Sequence, residues 1–460
     1  MSLYAFFIII ATASHEFASG RNTICGDNMT HSIWQNTSLP QFPKLSGNAK
    51  TDVLVIGGGM AGLLCAYLLT QAGVDTLLVE ENRICSGITK DTTAKITSQH
   101  GLIYHKLIQK YGTEKAKMYL DANENALAQY RELCKEIPCH YEVKSNYVYS
   151  LRDRKVIEQE LQAVRKLGFP ADYREELPLP FEVAGAIKFR QQAQFHPLEF
   201  AAGIAKNLKI FENTSVRQLQ GTNAITDSGT ITAQKVIVAT HFPFMDRHGS
   251  YFLKLYQQRS YVVALENGPN LGGMYICGED GGFSFRNAGN CLLLGGNNHR
   301  TGKKSSGWQP LEEIAKRCYP NSHCAYRWAT QDCMSLDGIP YIGQYSAHTP
   351  GVYVATGYNK WGMSSSMVAS MLLRDQILGK GSPYAPVFNP SRSILHPQLA
   401  LNAMESTLHL LCPTRPRCPH LGCALQWNKQ EHSWDCPCHG SRFDKDGRKL
   451  TNPSQKDLEL

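Results

Sequence analysis

The chain of 460 residues would fill about three domains at roughly 150 residues each, so a large buried core is within reach and small stapled scaffolds are excluded. Its 42% hydrophobic, 19% charged and 10% aromatic residues exclude a disordered or fibrous protein. A net charge of +8 with no dense Lys/Arg run supplies no stripe for nucleic acid, and the 15 cysteines, odd in number and spread along the chain, are not the paired pattern of a small secreted scaffold.

In chain order, the first feature is an apolar run from Leu3 to Ile10 followed by Ala11-Thr12-Ala13, a triplet of cleavage-site form. No Lys or Arg precedes it, and it falls well short of the ~20 apolar residues of a membrane span. Residues 1–28 are therefore expected to be a tail or weakly signal-like upstream segment before Met29. The expected location is cytoplasmic in preference to secreted, with no integral membrane segment.

From Asp52 the pattern changes. DVLVI predicts a buried strand, GGGMAG a glycine turn, LLCAYLLTQAG a helix and TLLVE a second strand, the opening of a doubly wound sheet. Residues about 102–167 carry apolar residues at three-to-four spacing and predict the helices of a second layer. ITAQKVIVAT, YVVALE, MYICGE, FSFRN and CLLLGG, separated by glycine turns, predict a mixed or antiparallel sheet. GVYVATGYNKWGMSSSMVASMLLRDQIL again predicts strand, glycine loop and helix, which returns the chain to its first domain. A Pro- and Ser-rich stretch predicts a linker over about 381–400, and LALNAMESTLHLL a helix entering the cysteine-rich tail. The fold class is thus α/β with α+β inserts. A nucleotide-binding domain (about 50–100, 190–245 and 325–380) is split around a substrate domain (about 101–189 and 246–324), and a small β module occupies 401–460.

Gly57-x-Gly59-x-x-Gly62 follows a strand and opens a helix, and Glu80 ends the next strand. One glycine permits the turn, one lets backbone approach a pyrophosphate and one lets helix and strand pack closely. The helix N-terminus presents free N–H groups to the phosphates, and Glu80 would accept from ribose hydroxyls. A second strand-GxGxxG-helix unit does not occur: GGNNHR at 295–300 lacks the helix pattern. Electrons therefore are not expected to come from a nicotinamide.

The strings VLVIGGGMAGLLCAYLL, RICSGITKDTTAKITSQHG, FHPLEFAAGIA, VIVATHFPF, DGIPYIG and GVYVATGYNKWGMS resemble, in order, the FAD-dependent oxidoreductases of the D-amino-acid oxidase/glycine oxidase/sarcosine dehydrogenase-like family over residues ~50–380. The resemblance implies a Rossmann-like FAD domain with Gly57, Gly59, Gly62, Glu80, Thr93, Ala94, Gly357, Gly362 and Met363 as cofactor contacts. It implies hydride removal from a carbon bearing an amine, with an arginine gripping a substrate carboxylate. Arg286 and Arg259 are the catalytic candidates, the alternative for either being a surface ion pair. His241 would line the pocket or sit as a hydrogen-bonded interior histidine, and Cys333 stands where a thiol could approach the flavin.

In the tail, Cys418-x-His420 and Cys436-x-x-His439 offer two thiolates and two imidazoles from two loops. A Cys₂His₂ zinc site is the sober alternative, but a zinc finger groups its cysteines and its histidines, whereas here each loop supplies one of each. That pattern suits a two-iron cluster with both thiolates on one iron and both imidazoles on the other. CPHLGC and CPCHGS are similar to Rieske [2Fe–2S] proteins of the disulfide-containing type. The resemblance implies Cys418, His420, Cys436 and His439 as ligands, a Cys423–Cys438 disulfide and Ser441 as a donor to a cluster sulfur. Phe443 stands where many such proteins have a tyrosine donor, which implies a lower potential. Little strand sequence precedes Cys418, so the module is expected to lean on the flavoprotein body; Trp427 and Trp434 read as packing residues.

Together these sites imply a dehydrogenase that oxidises a small amine or amino acid at FAD and passes electrons singly through the [2Fe–2S] cluster to an external acceptor, a protein or quinone-like molecule. The alternatives are an electron relay between partner proteins with no metabolite of its own, or a cluster that serves only as a staple or sensor.

Overall fold

The computed structural model describes residues 31–245, 248–414 and 416–460, so the segment 1–28 lies outside the described residues. Strand Ala49–Ile56 buries every residue from Val53 to Ile56, as a strand must at the centre of a parallel sheet covered on both faces. The strand order is Tyr341–Gln344, Val352–Thr356, Thr230–Val238, Ala49–Ile56, Thr76–Val79, Lys209–Phe211. All neighbours are parallel except the first pair. Helix Met60–Gln71 crosses between the two central strands, and nine of its twelve residues are buried because helix Gly362–Ile377 packs against it. A chain stretch ~290 residues downstream is thereby returned to the fingerprint.

The second sheet is mixed, with order His323–Ser335, Leu255–Glu266, Cys291–Arg300, Ser284–Ala288, Met274–Cys277, Glu142–Ser150, Gly185–Gln194, Lys95–Ile96. Only Met274–Cys277 and Glu142–Ser150 run parallel. Three expectations are corrected here. Residues 102–167 are not continuously helical: helices Tyr104–Glu136 and Arg154–Lys166 flank strand Glu142–Ser150, where NYVYS alternates on a pleated surface. Strands Gly185–Gln194 and His323–Ser335 belong to the second sheet, so its boundaries reach further than the expected division at 190 and 325. The reason is length: His323–Ser335 pairs with Leu255–Glu266 along almost its whole run, and its far end reaches the wall of the nucleotide cleft.

The third correction concerns the expected linker at about 381–400, which is a packed strap. Val387 and Phe388 are buried, and the Arg392 guanidinium donates to both carboxylate oxygens of Asp337 at 2.8 Å. Arg392 also lies over the Tyr341 ring at 3.9 Å and donates to the carbonyls of Ile339 and Pro340. Helix Pro397–Leu411 follows, and the tail closes as a four-stranded antiparallel sheet, Gln426–Asn428, Ser433–Asp435, Arg442–Phe443 and Lys449–Thr451. Among the described residues no helix is long and apolar enough to cross a membrane.

Replacing Arg392 by Ala leaves the Asp337 carboxylate buried without its cation, which costs about 3–5 kcal/mol. Denaturant unfolding of the purified variant measures that loss, and an unchanged midpoint would show the strap to be dispensable.

Candidate functional site

The nucleotide cleft is set by backbone. Strand Ala49–Ile56 ends at Gly57, whose φ of +109° is open to glycine and whose added Cβ would meet the Ala239 carbonyl at 2.6 Å. Gly62 lies in the first turn of the following helix, where a Cβ would collide with the Gly57 carbonyl. Gly59 caps that helix with no side chain of its own, and the Thr89 hydroxyl accepts from the Met60 N–H at 3.0 Å. The Glu80 carboxylate accepts from Gly58 N–H at 2.6 Å and Asn82 N–H at 2.9 Å, and burial raises its pKa against those bonds.

A cavity of about 720 Å³ opens from this corner and runs to the end of the second sheet. Gly57, Gly59, Glu80, Thr93, Gly362 and Met363 line it. Gly62, Ala94 and Gly357 do not; they stand behind the wall, Ala94 and Gly357 at positive φ, and shape it. A helix N-terminus, a tight glycine turn and an acidic group at the next strand's end form a cradle that fits the ADP half of a flavin dinucleotide.

Neither candidate arginine faces this cavity. The Arg286 Nη1 donates to the carbonyls of Thr93 and Ala94 at 2.8 and 2.9 Å and its ring neighbour is Trp34, so it fixes the loop that carries Thr93. Arg259 is in an ion pair as the alternative reading had it, but one that is buried, not at the surface: its guanidinium grips the Glu431 carboxylate of the tail module through two nitrogens. Three lysines line the cavity: Lys95 donates to the Thr93 hydroxyl, Lys449 of the tail pairs with Glu81, and Lys360 stands in the loop between strand Val352–Thr356 and helix Gly362–Ile377. Burial lowers the pKa of Lys360, while the charges of Asp332 and Asp280 oppose that shift. Asp332 lines the same cavity, and burial pushes it up to about 6. The signal for Lys360 was present in GYNKWGMS, a lysine inside a glycine loop that returns to the cofactor. His241 lines the wall and is held neutral, burial lowering it to about 4, with Gln257 as its hydrogen-bonding neighbour. Cys333 lines the wall as a thiol, pushed up to about 12 by burial.

The tail brings its four expected ligands together in two pairs. The Cys418 and Cys436 thiols hydrogen-bond each other, and the His420 and His439 rings stand 5.0 Å apart at 87°. The buried His439 Nδ1 has no hydrogen-bond partner, and burial holds that imidazole neutral, the form that ligates a metal. Two adjacent sulfurs facing two imidazoles fit a [2Fe–2S] cluster better than a closed zinc finger. The Cys423–Cys438 disulfide joins the two loops, and the Ser441 hydroxyl lies against Cys418. Phe443 is fully buried in the module's core, and Trp427 and Trp434 pair across strands at 5.0 Å.

The module leans on the body, as its short strand content foretold. Four successive carbonyls of the second ligand loop accept from side chains of the second sheet. Arg300 donates to Pro437 O at 2.9 Å and Cys438 O at 3.1 Å, Gln257 to His439 O at 2.7 Å, and Gln331 to Gly440 O at 2.8 Å. Gly440, at φ +84°, admits this approach, since a Cβ there would meet Gln257 Cβ at 2.6 Å. Gln257 and Gln331 also line the cavity. The His439 ring packs against Phe242 and Phe252 of the body, whereas His420 is partly exposed.

Two expected outcomes follow. Gly62→Ala should purify without flavin, because a methyl has no room against Gly57 O, whereas Gly87→Ala, with nothing within 4 Å, should keep it; flavin absorbance per protein decides. Glu431 is buried, yet Arg259 and Arg442 hold its carboxyl at about 2, below the usual 4.5. A depressed carboxyl stabilises the fold above pH 4.5 and loses that contribution as pH falls through about 2. Glu431→Gln should cost about 3 kcal/mol at neutral pH, with the gap from wild type closing over that acidic window. Unfolding midpoints at several pH values check both.

Residues 52–376 match the FAD dependent oxidoreductase (DAO) family and residues 398–460 the Rieske [2Fe-2S] domain. The protein YhfW of Bacillus subtilis, named for a Rieske 2Fe-2S iron-sulfur centre, is 33% identical over 92% of this chain and 96% of its own. Gamma-glutamylputrescine oxidoreductase of Escherichia coli is 24% identical over 74% of this chain and 86% of its own. Glycine oxidase from Geobacillus kaustophilus shares the fold with a TM-score of 0.64 at 19% identity, over 75% of this chain and all of that one. With the cradle, the cysteine- and histidine-bearing tail and these likenesses in view, the chain belongs to the DAO family of FAD-dependent oxidoreductases and carries a C-terminal Rieske domain that binds a [2Fe–2S] cluster.

Proposed function

We propose that this protein is a dehydrogenase that oxidises the C–N bond of an amino acid at FAD and passes the electrons one at a time through the Rieske cluster to an external acceptor, a protein or quinone-like molecule. One observation carries the reading: Gln257 lines the cofactor cavity and, from the same side chain, donates to the backbone of the cluster ligand His439. Bound FAD supplies a hydride acceptor and the bound cluster a one-electron carrier. Lys360 takes the substrate carboxylate in place of the arginine the family resemblance implied, because Arg259 and Arg286 are spent on Glu431 and on the Thr93–Ala94 backbone. Asp332, poised at about 6, accepts from the substrate amine and takes its proton, leaving the neutral amine that oxidation requires. The enclosed cavity supports an enzyme over a relay without a metabolite, since a relay needs no chamber lined by a cation and an acid.

The relatives suggest where to look: glycine oxidase, L-amino acid deaminase and gamma-glutamylputrescine oxidoreductase are named for amino acids or an amine that carries one. The test is anaerobic. A panel of amino acids and N-substituted amino acids is mixed with holoenzyme, flavin absorbance is followed, and the cluster's EPR signal is then recorded. A bleached flavin followed by the signal supports the route; bleaching alone refutes it, and no bleaching by any compound favours the relay. Lys360→Ala should raise KM for the active compound about 10- to 100-fold, the worth of one charge-assisted hydrogen bond, and Lys360→Arg should recover most of it. Cys436→Ser should keep flavin bleaching and lose the EPR signal.

A further inference from the structure

Outside the two cofactor sites, Cys134 and Cys139 bring two free thiols together: their Sγ atoms share a hydrogen bond at 3.5 Å. Cys134 sits half-buried in the last turn of helix Tyr104–Glu136, and Cys139 is buried just beyond it. The chain turns back in so short a span because Ile137 leaves the helix in extended conformation, φ −109° and ψ 109°, and Pro138 cannot continue it. Both sides of the turn are anchored. The Ile137 side chain packs where a Cβ on Gly203 would collide with it, and His196 N–H donates to Cys139 O at 2.7 Å.

We propose that Cys134 and Cys139 form a reversible dithiol–disulfide pair that closes on reaction with a low-molecular-weight disulfide. A disulfide needs the sulfurs only about 1.5 Å nearer than they stand. Cys134, the accessible member, gives up its proton and attacks one sulfur of the oxidant, whose other half leaves as a thiol. Cys139 then gives up its proton and attacks Cys134 Sγ, releasing the second half. One S–S bond breaks and one forms, two electrons pass from the pair to the oxidant, and the two cysteine protons leave on the two thiols. The same helix carries Tyr130, one turn before Cys134, and the Tyr130 hydroxyl donates to the carbonyl of Met363 in the cavity wall at 2.9 Å.

Trypsin cuts between the two cysteines and separates Glu132–Lys135 from Glu136–Lys144, so the bond is read directly. Reduced, desalted holoenzyme is incubated anaerobically with glutathione disulfide, alkylated, digested and analysed by mass spectrometry. The expected result is the two peptides linked, and released as two alkylated peptides after dithiothreitol. In Cys139→Ser, with flavin content equal to wild type as evidence of folding, a glutathione adduct should persist on Cys134 because its resolving thiol is gone. Recovery of both wild-type peptides alkylated after oxidant, or a lasting adduct on wild-type Cys134, would overturn the proposal.

Discussion

Everything distinctive about this protein depends on a row of backbone carbonyls. Those of Pro437, Cys438, His439 and Gly440 accept from Arg300, Gln257 and Gln331, so the second ligand loop of the Rieske module is held by the sheet that walls the flavin cavity. Two of these bonds come from neutral amides and two from the Arg300 guanidinium, and a single such bond left unmade costs about 1–3 kcal/mol, so the docking is specific as well as stable. The buried Glu431, gripped by Arg259 of the body and Arg442 of the module, adds a charged tie beside this row. A module with only four short strands would be marginal alone; here it borrows a face.

That docking makes the two histidine ligands unequal. His439 is packed against Phe242 and Phe252, and His420 is open in part to solvent. Both rings touch Phe242, so the difference between them is one of burial: His439 is buried and His420 is half-buried. At the fingerprint end of the cavity Gly57 and Gly59 keep side chains clear beside the Glu80 carboxylate, and toward the second sheet Lys360 and Asp332 bring charge of both signs.

Much of this was legible in the chain. The fingerprint, the alternating strands of the second sheet and the two-loop ligand set are local patterns: period, glycine spacing and residue type declare them without reference to distant parts. The strand Glu142–Ser150 was missed because helical spacing on both sides of it masked a short alternating run. The strap at 381–400 was missed because proline and serine mark the absence of regular structure, not the absence of packing, and Arg392 finds Asp337 only through the fold.

The amino-acid order alone determined which two cofactors the chain is built for, FAD and a [2Fe–2S] cluster, since each motif consists of residues a few positions apart whose geometry is set by local backbone. Only the tertiary structure decided what the isolated charges do. Arg259 and Arg286 were both candidates for a substrate, and where sheets and module meet decided otherwise: those contacts placed a carboxylate on Arg259 and carbonyls on Arg286, and left Lys360 at the cavity wall. A long side chain reaches partners from any part of the sequence, so its role is a property of packing and not of its neighbours in the chain.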